Sequence, residues 1–568
     1  MTEHSSRELQ QALSHCLGAL QERASVAWRG REQEGLTSLV RVLDFVAVAP
    51  FLDLDAGMDR TTWESRMGSA MVLMGAAAGL RPFLSTVGDI PGGLPWGPSQ
   101  TNAQQYAYSY LRECGELTFL RRMAGLERYG LATSQSLGPG RFRLETASSA
   151  PEQALQAALR ARRGRDDGPA ECVRTKAEWG GIHARMARYV DTPNGWFIRY
   201  DNDWNLVAIY REEARRFGRR FLEAEALPDD AIIGDRTFGE WKQACDQALG
   251  RVLAHMDFAR LLKRKNPSID LGDVLTIFAR KEDVRQVWEQ AGVPAARISA
   301  TMRALMLGAD NLDDWDGAFE TPTPFHVELG RDFVLLPLFG ALTNPYFALF
   351  RHLRQFYRAD WDRAVDRRED VFREDLARLF SGPRYLVPSR GFRLLRDNGS
   401  LLTDIDAIVV DRQYGAVALV QLKWHDIFGF SLTERESRRK NLAKANEWTA
   451  RVADWVGERS SRDVLARLGI DEAASDRPPA LFVLARYAAR FAGDDGQDER
   501  ACWLGWPEMQ HAMEEDEVAA DPLMRIPAQV MRHQLGFEAQ ATQDVTFEFP
   551  SLEVVLQMHV SSRPPADR

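Results

Sequence analysis

Polar side chains with metal-binding and phosphate-binding chemistry interrupt two strand-like runs within residues 403–426, TDIDAIVVDRQYGAVALVQLKWHD. Asp404 and Asp406 lie in the first run, and Gln421 and Lys423 lie near the end of the second. Ionisable groups in apolar strands cost free energy unless they find partners, and a metal ion is a common partner. These four side chains therefore predict a functional site.

Pairing of the two runs would bring the four side chains together. The turn at residues 411–415 predicts an antiparallel hairpin. The period of two puts Asp404 and Asp406 on one face of the first strand, and Gln421 and Lys423 on one face of the second. Carboxylate and amide oxygens suit Mg²⁺, and a lysine can orient a water or neutralise charge on a phosphate. The pattern predicts a divalent-metal site for phosphate chemistry.

A further carboxylate precedes the hairpin on a predicted helix. Helical spacing gives that helix an apolar stripe made of Val365, Phe372, Leu376 and Leu379. Glu369 falls on the same stripe, and a carboxylate on a buried face needs a partner. We expect that partner to be the metal, and the alternative is an ion pair with Arg393 or Arg396.

The elements around these residues follow one order: helix, β-meander, helix, strand. Two helices are predicted within 347–380 and one helix within 433–456. Strand-like runs occur at 384–389, 391–395, 401–411, 416–424 and 480–488. This order indicates an α/β sandwich with a mixed sheet, and no glycine-rich phosphate loop accompanies it.

In this order of elements, 404-DID-406 and 421-QLK-423 together with Glu369 resemble the PD-(D/E)XK nuclease superfamily over roughly residues 360–490. The glutamine resembles the Mrr-type restriction-endonuclease branch. The resemblance implies that Asp406 binds the metal, that Gln421 takes the acidic position, that Lys423 is the catalytic lysine and that Glu369 is the helix carboxylate. Asp404 would be an alternative ligand. The implied cofactor is Mg²⁺ or Mn²⁺, and the implied substrate is DNA, with RNA still open.

Gln421 departs from the usual acidic residue and removes one negative charge, so the site should hold a divalent ion more weakly. Either one metal ion suffices, or Glu369 makes up the deficit. An inactive relic of the fold is the remaining interpretation.

Basic residues cluster at the start of the helix that follows the hairpin. The predicted nucleic-acid contacts are Arg435, Arg438, Arg439 and Lys440. A helix N-terminus with arginines favours phosphate. The alternative is a solvated face on which Glu434 and Glu436 pair with the basic residues.

The length indicates several domains, and the order of predicted helices and strands indicates an α+β protein. Of its 568 residues, 1–345 form a helix-rich region of unknown role, 346–490 the nuclease-like domain, and 491–568 an acidic extension that completes or flanks it. The net charge of −9 argues against a uniformly basic nucleic-acid-coating protein. Residues 361–490 hold 23 Lys and Arg against 20 Asp and Glu, so a local basic face is expected.

The sequence supports three hypotheses about function. The first is a metal-dependent nuclease that hydrolyses DNA, with a role in restriction or defence suggested by the resemblance alone. The second is an inactive nuclease-fold binding or scaffold protein. The third is a DNA-binding regulator, because residues 283–306 resemble a helix-turn-helix; the alternative there is an ordinary helical hairpin.

The expected location is the cytoplasm. Five scattered cysteines fit reduced thiols, and neither a signal peptide nor a membrane span is predicted. The oligomeric state and any protein partner stay open.

Overall fold

The structure is a computed structural model of the chain. It describes residues 2–51, 63–87, 97–147, 174–201, 204–312, 324–424, 432–487, 489, 496–514, 520–535 and 541–560. The described residues form an α+β fold with mixed sheets and a helix-rich N-terminal region, which confirms the coarse fold class.

Helices make up most of the N-terminal region. They are α1 (Thr2–Ala27), α2 (Glu32–Val48), α3 (Trp63–Met74), α4 (Ala76–Val87), α5 (Thr101–Gly125), α6 (Lys176–Tyr189), α7 (Trp204–Gly218), α8 (Phe238–Lys265), α9 (Leu271–Val274), α10 (Lys281–Gln290), α11 (Ala295–Ala304), α12 (Phe339–Thr343), α13 (Phe347–Phe356) and α14 (Arg358–Asp366). Their apolar faces share one large core with several short strands.

The strands of this region are β1 (Ala132–Gly138), β2 (Arg141–Thr146), β3 (Ile232–Ile233), β4 (Arg236–Thr237), β5 (Ile277–Arg280), β6 (Met306–Leu307), β7 (His326–Glu328) and β8 (Phe333–Leu336). Strands β1 and β2 pair as an antiparallel hairpin. The Gly-Pro-Gly sequence is the turn of this hairpin, and Gly140 has φ of +67°, where a side chain would be strained.

The long N-terminal helices approach closely where glycines face each other. A Cβ at Gly75, between α3 and α4, would overlap the backbone at Leu111 of α5, and a Cβ at Gly115 would overlap the backbone at Met71. Because neither residue has a side chain, the backbones of these helices touch. This contact fixes where α3 and α4 cross α5.

The helical run Met67–Val87 is long and apolar enough to cross a membrane by length and composition alone, and it is the one such run in the described part of the chain. Half of its hydrophobic window is buried inside the protein. Contact with α5 is the arrangement expected of core helices. The absence of a membrane span and a cytoplasmic location stay predictions.

The C-terminal part is built on a five-stranded mixed sheet in the order β15-β14-β13-β12-β9. Its elements are α15 (Arg368–Leu379), β9 (Tyr385–Leu386), β10 (Phe392–Leu395), β11 (Leu401–Ile405), β12 (Ala407–Asp411), β13 (Ala416–Lys423), α16 (Leu432–Val456), α17 (Ser461–Leu468), β14 (Ala480–Ala485), β15 (Ala501–Gly505), α18 (Trp506–Met513) and α19 (Pro522–Leu535). Strands β12 and β13 are antiparallel, and β13, β14 and β15 are parallel.

Alternate side chains of this sheet supply two separate cores. Ile408 and Val410 of β12 face α16, whereas Ala407 and Val409 face α15, α18 and α19. The period of two therefore builds a layer of helices on each side of the sheet.

Three details differ from the sequence-based predictions. Residues 347–380 form three helices where two were predicted, because the second predicted helix is interrupted between Asp366 and Arg368, where α14 ends and α15 begins. The predicted strand 401–411 is two strands, because the chain leaves the β10–β11 pair at Asp406 and joins the five-stranded sheet as β12. Within residues 491–568, β15, α18 and α19 complete the C-terminal part, whereas residues 541–560 return to the N-terminal region.

The returning segment is the hairpin of β16 (Ala541–Phe549) and β17 (Leu552–Val560). Strand β17 pairs in parallel with β2, which gives a four-stranded sheet in the order β1-β2-β17-β16. Ion pairs join Arg141 to Glu553 at 2.9 Å and Arg143 to Asp544 at 3.0 Å. The last described strands therefore share one sheet with the β1–β2 hairpin of the N-terminal region.

Candidate active site

Asp406 is the centre of the candidate site and lies where the chain passes from β11 into β12. Ala407 pairs with Val420, so the register places Asp406 opposite Gln421. The buried Asp406 carboxylate, with 8% of the residue exposed, accepts hydrogen bonds from the Leu422 N–H at 2.8 Å and from the Gln421 side-chain amide. Strand pairing thus holds both the backbone and the side chain of Asp406.

Glu369 reaches Asp406 from the first turn of α15. Its carboxyl group is near enough to Asp406 to raise the pKa of that carboxyl group, although the residue is exposed. The expectation that Glu369 lies in the middle of a buried stripe is wrong, because α15 begins only at Arg368 and buries Phe372 and Leu376. Glu369 therefore lies at the rim of the apolar face, beside the site.

The charges of the site favour a bound cation. Burial, followed by the negative charge of Glu369, raises the pKa of Asp406 to about 7, although the Lys423 ammonium and the Leu422 N–H oppose the rise. The repulsion between neighbouring carboxylates falls when a positive charge lies close to both. A divalent cation between them would supply that charge.

Lys423 closes β13 on the same side as Asp406. The residue is half-buried, and its ammonium is near enough to Asp406 to lower the pKa of that carboxyl group. The Lys423 carbonyl oxygen accepts a hydrogen bond from the Arg486 N–H at 2.7 Å, beyond the parallel pairing of β13 with β14. The backbone of this strand end is therefore fixed.

Asp404 does not join these residues. It is exposed on β11 and pairs with Arg393 in the two-stranded sheet, and its carbonyl oxygen accepts the Trp448 indole N–H at 2.8 Å. Within the described part of the chain its carboxylate makes no hydrogen bond or ion pair. The expected shared face with Asp406 fails because β11 and β12 belong to different sheets.

The predicted nucleic-acid contacts lie in the first turns of α16. The side chains of Arg435, Arg438 and Arg439 lie outside the described residues, as does the predicted capping pair Thr433 and Glu436. Lys440, which directly follows Arg439, is exposed. The phosphate-binding role of these four basic residues stays a prediction.

Arg373 is a positioning residue that the sequence-based analysis missed. Its buried guanidinium donates from Nε to the Asp406 carbonyl oxygen at 2.6 Å and from Nη1 to Asp370 at 2.7 Å. Gly391 leaves room beside it, since a Cβ there would lie 2.9 Å from the Ile405 carbonyl oxygen and 3.6 Å from Arg373. Arg373 thus holds the helix that carries Glu369 against Asp406. Its only signal in the sequence is the i, i+4 spacing from Glu369.

Arg486 links the candidate site to the N-terminal region. The residue is buried, and its guanidinium pairs with Asp375 of α15 at 2.6 Å and with Glu225 at 3.0 Å. It also lies 4.6 Å from the ring centre of Trp424, which directly follows Lys423. The N-terminal region therefore packs against the end of β13 that carries Lys423.

The protein donors available to a metal are few. Among the residues that the structure describes, no group of three or more His, Cys, Asp and Glu side chains is arranged to hold an ion. Asp406 and Glu369 supply two carboxyl groups, and Gln421 supplies an amide. This donor set fits Mg²⁺ or Mn²⁺, since Mg²⁺ commonly binds one or two carboxylates and keeps several waters.

Comparison with known proteins adds no family assignment. No protein-family model matches the chain, and neither the curated proteins nor the solved structures that were searched gave a match. The functional conclusion therefore depends on the residues of the site.

Proposed function

We propose that this protein is a divalent-metal-dependent nuclease of the PD-(D/E)XK type that hydrolyses phosphodiester bonds in DNA. The observation that carries the proposal is the convergence of Glu369, Asp406, Gln421 and Lys423 at one end of the β12–β13 hairpin. Supporting it is the order of elements around them: a helix with the glutamate, antiparallel strands, a helix, and then a parallel strand. This is the order of a restriction-endonuclease-like sandwich.

Each side chain has a defined part in this proposal. Asp406 and Glu369 would hold the ion, with the Gln421 amide oxygen as a third donor after rotation of the amide. The ion, when bound, supplies a Lewis acid beside the scissile phosphate. The Lys423 ammonium orients the attacking water and stabilises the negative charge that develops on the phosphate oxygens.

Arg373 and the strand register provide preorganisation. The Leu422 N–H and the Gln421 amide fix the Asp406 carboxylate, and Arg373 fixes the Asp406 carbonyl group. The site can therefore keep its shape before substrate arrives, which lowers the cost of organising it during the reaction.

Cleavage of linear duplex, circular duplex and single-stranded DNA with Mg²⁺ or Mn²⁺ tests the proposal. We expect Lys423→Met and Asp406→Asn each to lower the cleavage rate by about a hundredfold or more, since each removes an interaction with the reacting groups. Lys444→Met is the matched control, because Lys444 is exposed on α16. Far-UV circular dichroism would establish that each variant is folded.

Two glutamate substitutions on α15 distinguish cleavage by this protein from cleavage by a contaminating nuclease. Glu369→Gln should lose activity, whereas Glu374→Gln, on the exposed side of the same helix, should keep it. Equal cleavage by wild type and by folded Lys423→Met would contradict the proposal.

An inactive nuclease-fold binding protein is the second candidate. The small number of acidic donors and the engagement of the Gln421 amide with Asp406 favour it. Its signature would be DNA binding that neither Mg²⁺ nor Lys423→Met alters, with no cleavage of any of the three substrates.

A further inference from the structure

A second polar site lies in the N-terminal region, far along the chain from the candidate active site. It is a partly open cavity of about 150 Å³ between α7, α8 and the α10–α11 hairpin. Its chemically distinctive lining residues are Arg211, Arg215, Arg236, Gln247, Trp288 and Arg297. The turn Ala291–Pro294 of the hairpin closes one side.

Two of the arginines are held in place by the protein. Arg236 is buried and donates from Nε to Asp235 at 3.0 Å and from Nη1 to Thr301 at 2.9 Å. Arg297 pairs with Asp235 at 2.9 Å and with Glu240 at 3.1 Å. These ion pairs fix two guanidinium groups at the cavity wall.

The other two arginines keep the cavity cationic. Arg215 lies 3.6 Å from the carboxylate of Asp246, and the charge of Arg211 acts on the same carboxylate. Within the described part of the chain Arg211 is exposed and makes no hydrogen bond or ion pair. Four arginines therefore face three nearby carboxylates, those of Asp235, Glu240 and Asp246.

Two polar side chains of the wall have no hydrogen-bond partner among the residues that the structure describes. Trp288 is 1% exposed, and its indole N–H finds no acceptor among the described residues. Gln247 is 9% exposed, and its side chain makes no hydrogen bond to the residues that the structure describes. Buried polar groups are normally hydrogen-bonded, so the Trp288 indole N–H indicates a missing acceptor. The Gln247 amide lines the cavity and is available to bond a ligand there.

We propose that this cavity binds the phosphate group of a small phosphate monoester. Guanidinium groups match phosphate oxygens in geometry and charge. The Trp288 indole and the Gln247 amide supply further N–H donors. A cavity of this volume accepts a ligand of about six heavy atoms, the size of benzene, which is close to a phosphate group. The organic part of the monoester extends through the open side.

Isothermal titration of the full chain with inorganic phosphate, glycerol 3-phosphate and glycerol tests the proposal. We expect saturable one-to-one binding of inorganic phosphate and glycerol 3-phosphate, and no binding of glycerol. Arg211→Gln and Gln247→Leu together should weaken the binding of glycerol 3-phosphate at least tenfold, and Trp288→Phe should weaken it by less.

Arg219→Gln is the matched control, because Arg219 is exposed just beyond α7 and does not line the cavity. Arg211→Gln alone should fold, since the residue is exposed, so it remains informative if Trp288→Phe does not fold.

Three outcomes would overturn the proposal. The first is no saturable binding of either phosphate compound by folded wild type. The second is an equal loss of affinity in Arg219→Gln and in the Arg211 and Gln247 double variant. The third is Arg211-dependent binding of duplex DNA without binding of glycerol 3-phosphate, which would make the cavity a contact for the nucleic-acid backbone. The cleavage assay is independent of all three.

Discussion

Arg373 shows how a side chain outside the reacting groups can determine the candidate site. It joins α15, which carries Glu369, to the backbone of Asp406. We expect Arg373→Met to reduce Mg²⁺ affinity and the DNA-cleavage rate by about 10- to 100-fold, the usual effect of losing a residue that supports metal ligands.

Titration calorimetry with Mg²⁺ and the cleavage assay would measure both effects. Arg378→Met is the control, since Arg378 is exposed on the same helix and pairs only with neighbouring carboxylates. An Arg373→Met variant with wild-type Mg²⁺ affinity would show that Arg373 does not position Glu369.

Asp44, in the N-terminal core, provides a test of pH dependence away from the candidate site. It is fully buried and accepts hydrogen bonds from the Leu338 and Phe339 N–H groups at 2.7 and 2.9 Å and from the Thr276 hydroxyl at 2.7 Å. Burial raises the pKa of Asp44 from 3.8 to about 7, and these hydrogen bonds only partly oppose the rise.

The sign of the pH effect follows from the raised pKa. The folded protein binds the Asp44 proton more tightly than the unfolded chain does, so this group's contribution to the free energy of unfolding declines between about pH 4 and pH 7. We expect Asp44→Asn to gain stability relative to wild type across that window, by up to ~4 kcal/mol. Urea unfolding at several pH values would measure the difference, and a difference independent of pH would contradict the expectation.

At the scale of elements, the glycine contact between α3, α4 and α5 sets helix spacing. Gly115→Ala would push a methyl group into the Met71 carbonyl, so the helices must separate. We expect a loss of about 1–3 kcal/mol or more in the free energy of unfolding. Gly18→Ala on α1 is the matched control, because nothing lies within 4 Å of its Cβ position.

The control should stabilise the protein by about 0.5–1 kcal/mol, since alanine is the better helix former. Chemical denaturation of both variants would test the pair. Equal effects of the two substitutions would show that the helices do not touch at Gly115.

Local patterns predicted the elements near the site well. The β12–β13 hairpin and its register follow from alternation and from the turn, so Asp406, Gln421 and Lys423 could be brought together from the sequence alone. The bend at Asp406 could not be predicted, because it depends on β10 and β9 pairing on its two sides. For that reason Asp404 was placed on the wrong face.

Sequence patterns also could not predict contacts between distant segments of the chain. Arg486 pairs with Glu225, which lies 261 residues earlier in the chain. Hydrophobic periodicity does not predict an ion pair at that separation. The hairpin of β16 and β17 has clear alternation, yet only the structure shows that its partner strand is β2.

At the scale of the whole molecule, Arg486 joins the N-terminal region to the candidate nuclease domain. Arg486 is buried, whereas Glu225 and Asp375 are partly exposed and Asp375 also pairs with Arg378, so Arg486→Met removes one ion-pair partner from each carboxylate. We expect a loss of about 1–3 kcal/mol in the free energy of unfolding.

Arg500→Met, which removes an exposed arginine paired with Asp454 and Asp498, should cost less than about 1 kcal/mol. Guanidinium denaturation would compare the two variants. Equal denaturation midpoints would show that the ion pairs of Arg486 contribute little to the association of the two regions.

The parallel pairing of β17 with β2 has a consequence for biosynthesis. Glu553 and Arg141 meet across 412 residues, so β2 leaves the ribosome long before its neighbour exists. Until then one edge of β2 is an open template for other extended chains. Nascent chains on crowded polysomes, and fragments from interrupted translation, would present this edge to one another. The requirement for a chaperone should therefore fall sharply once residues 552–560 have emerged.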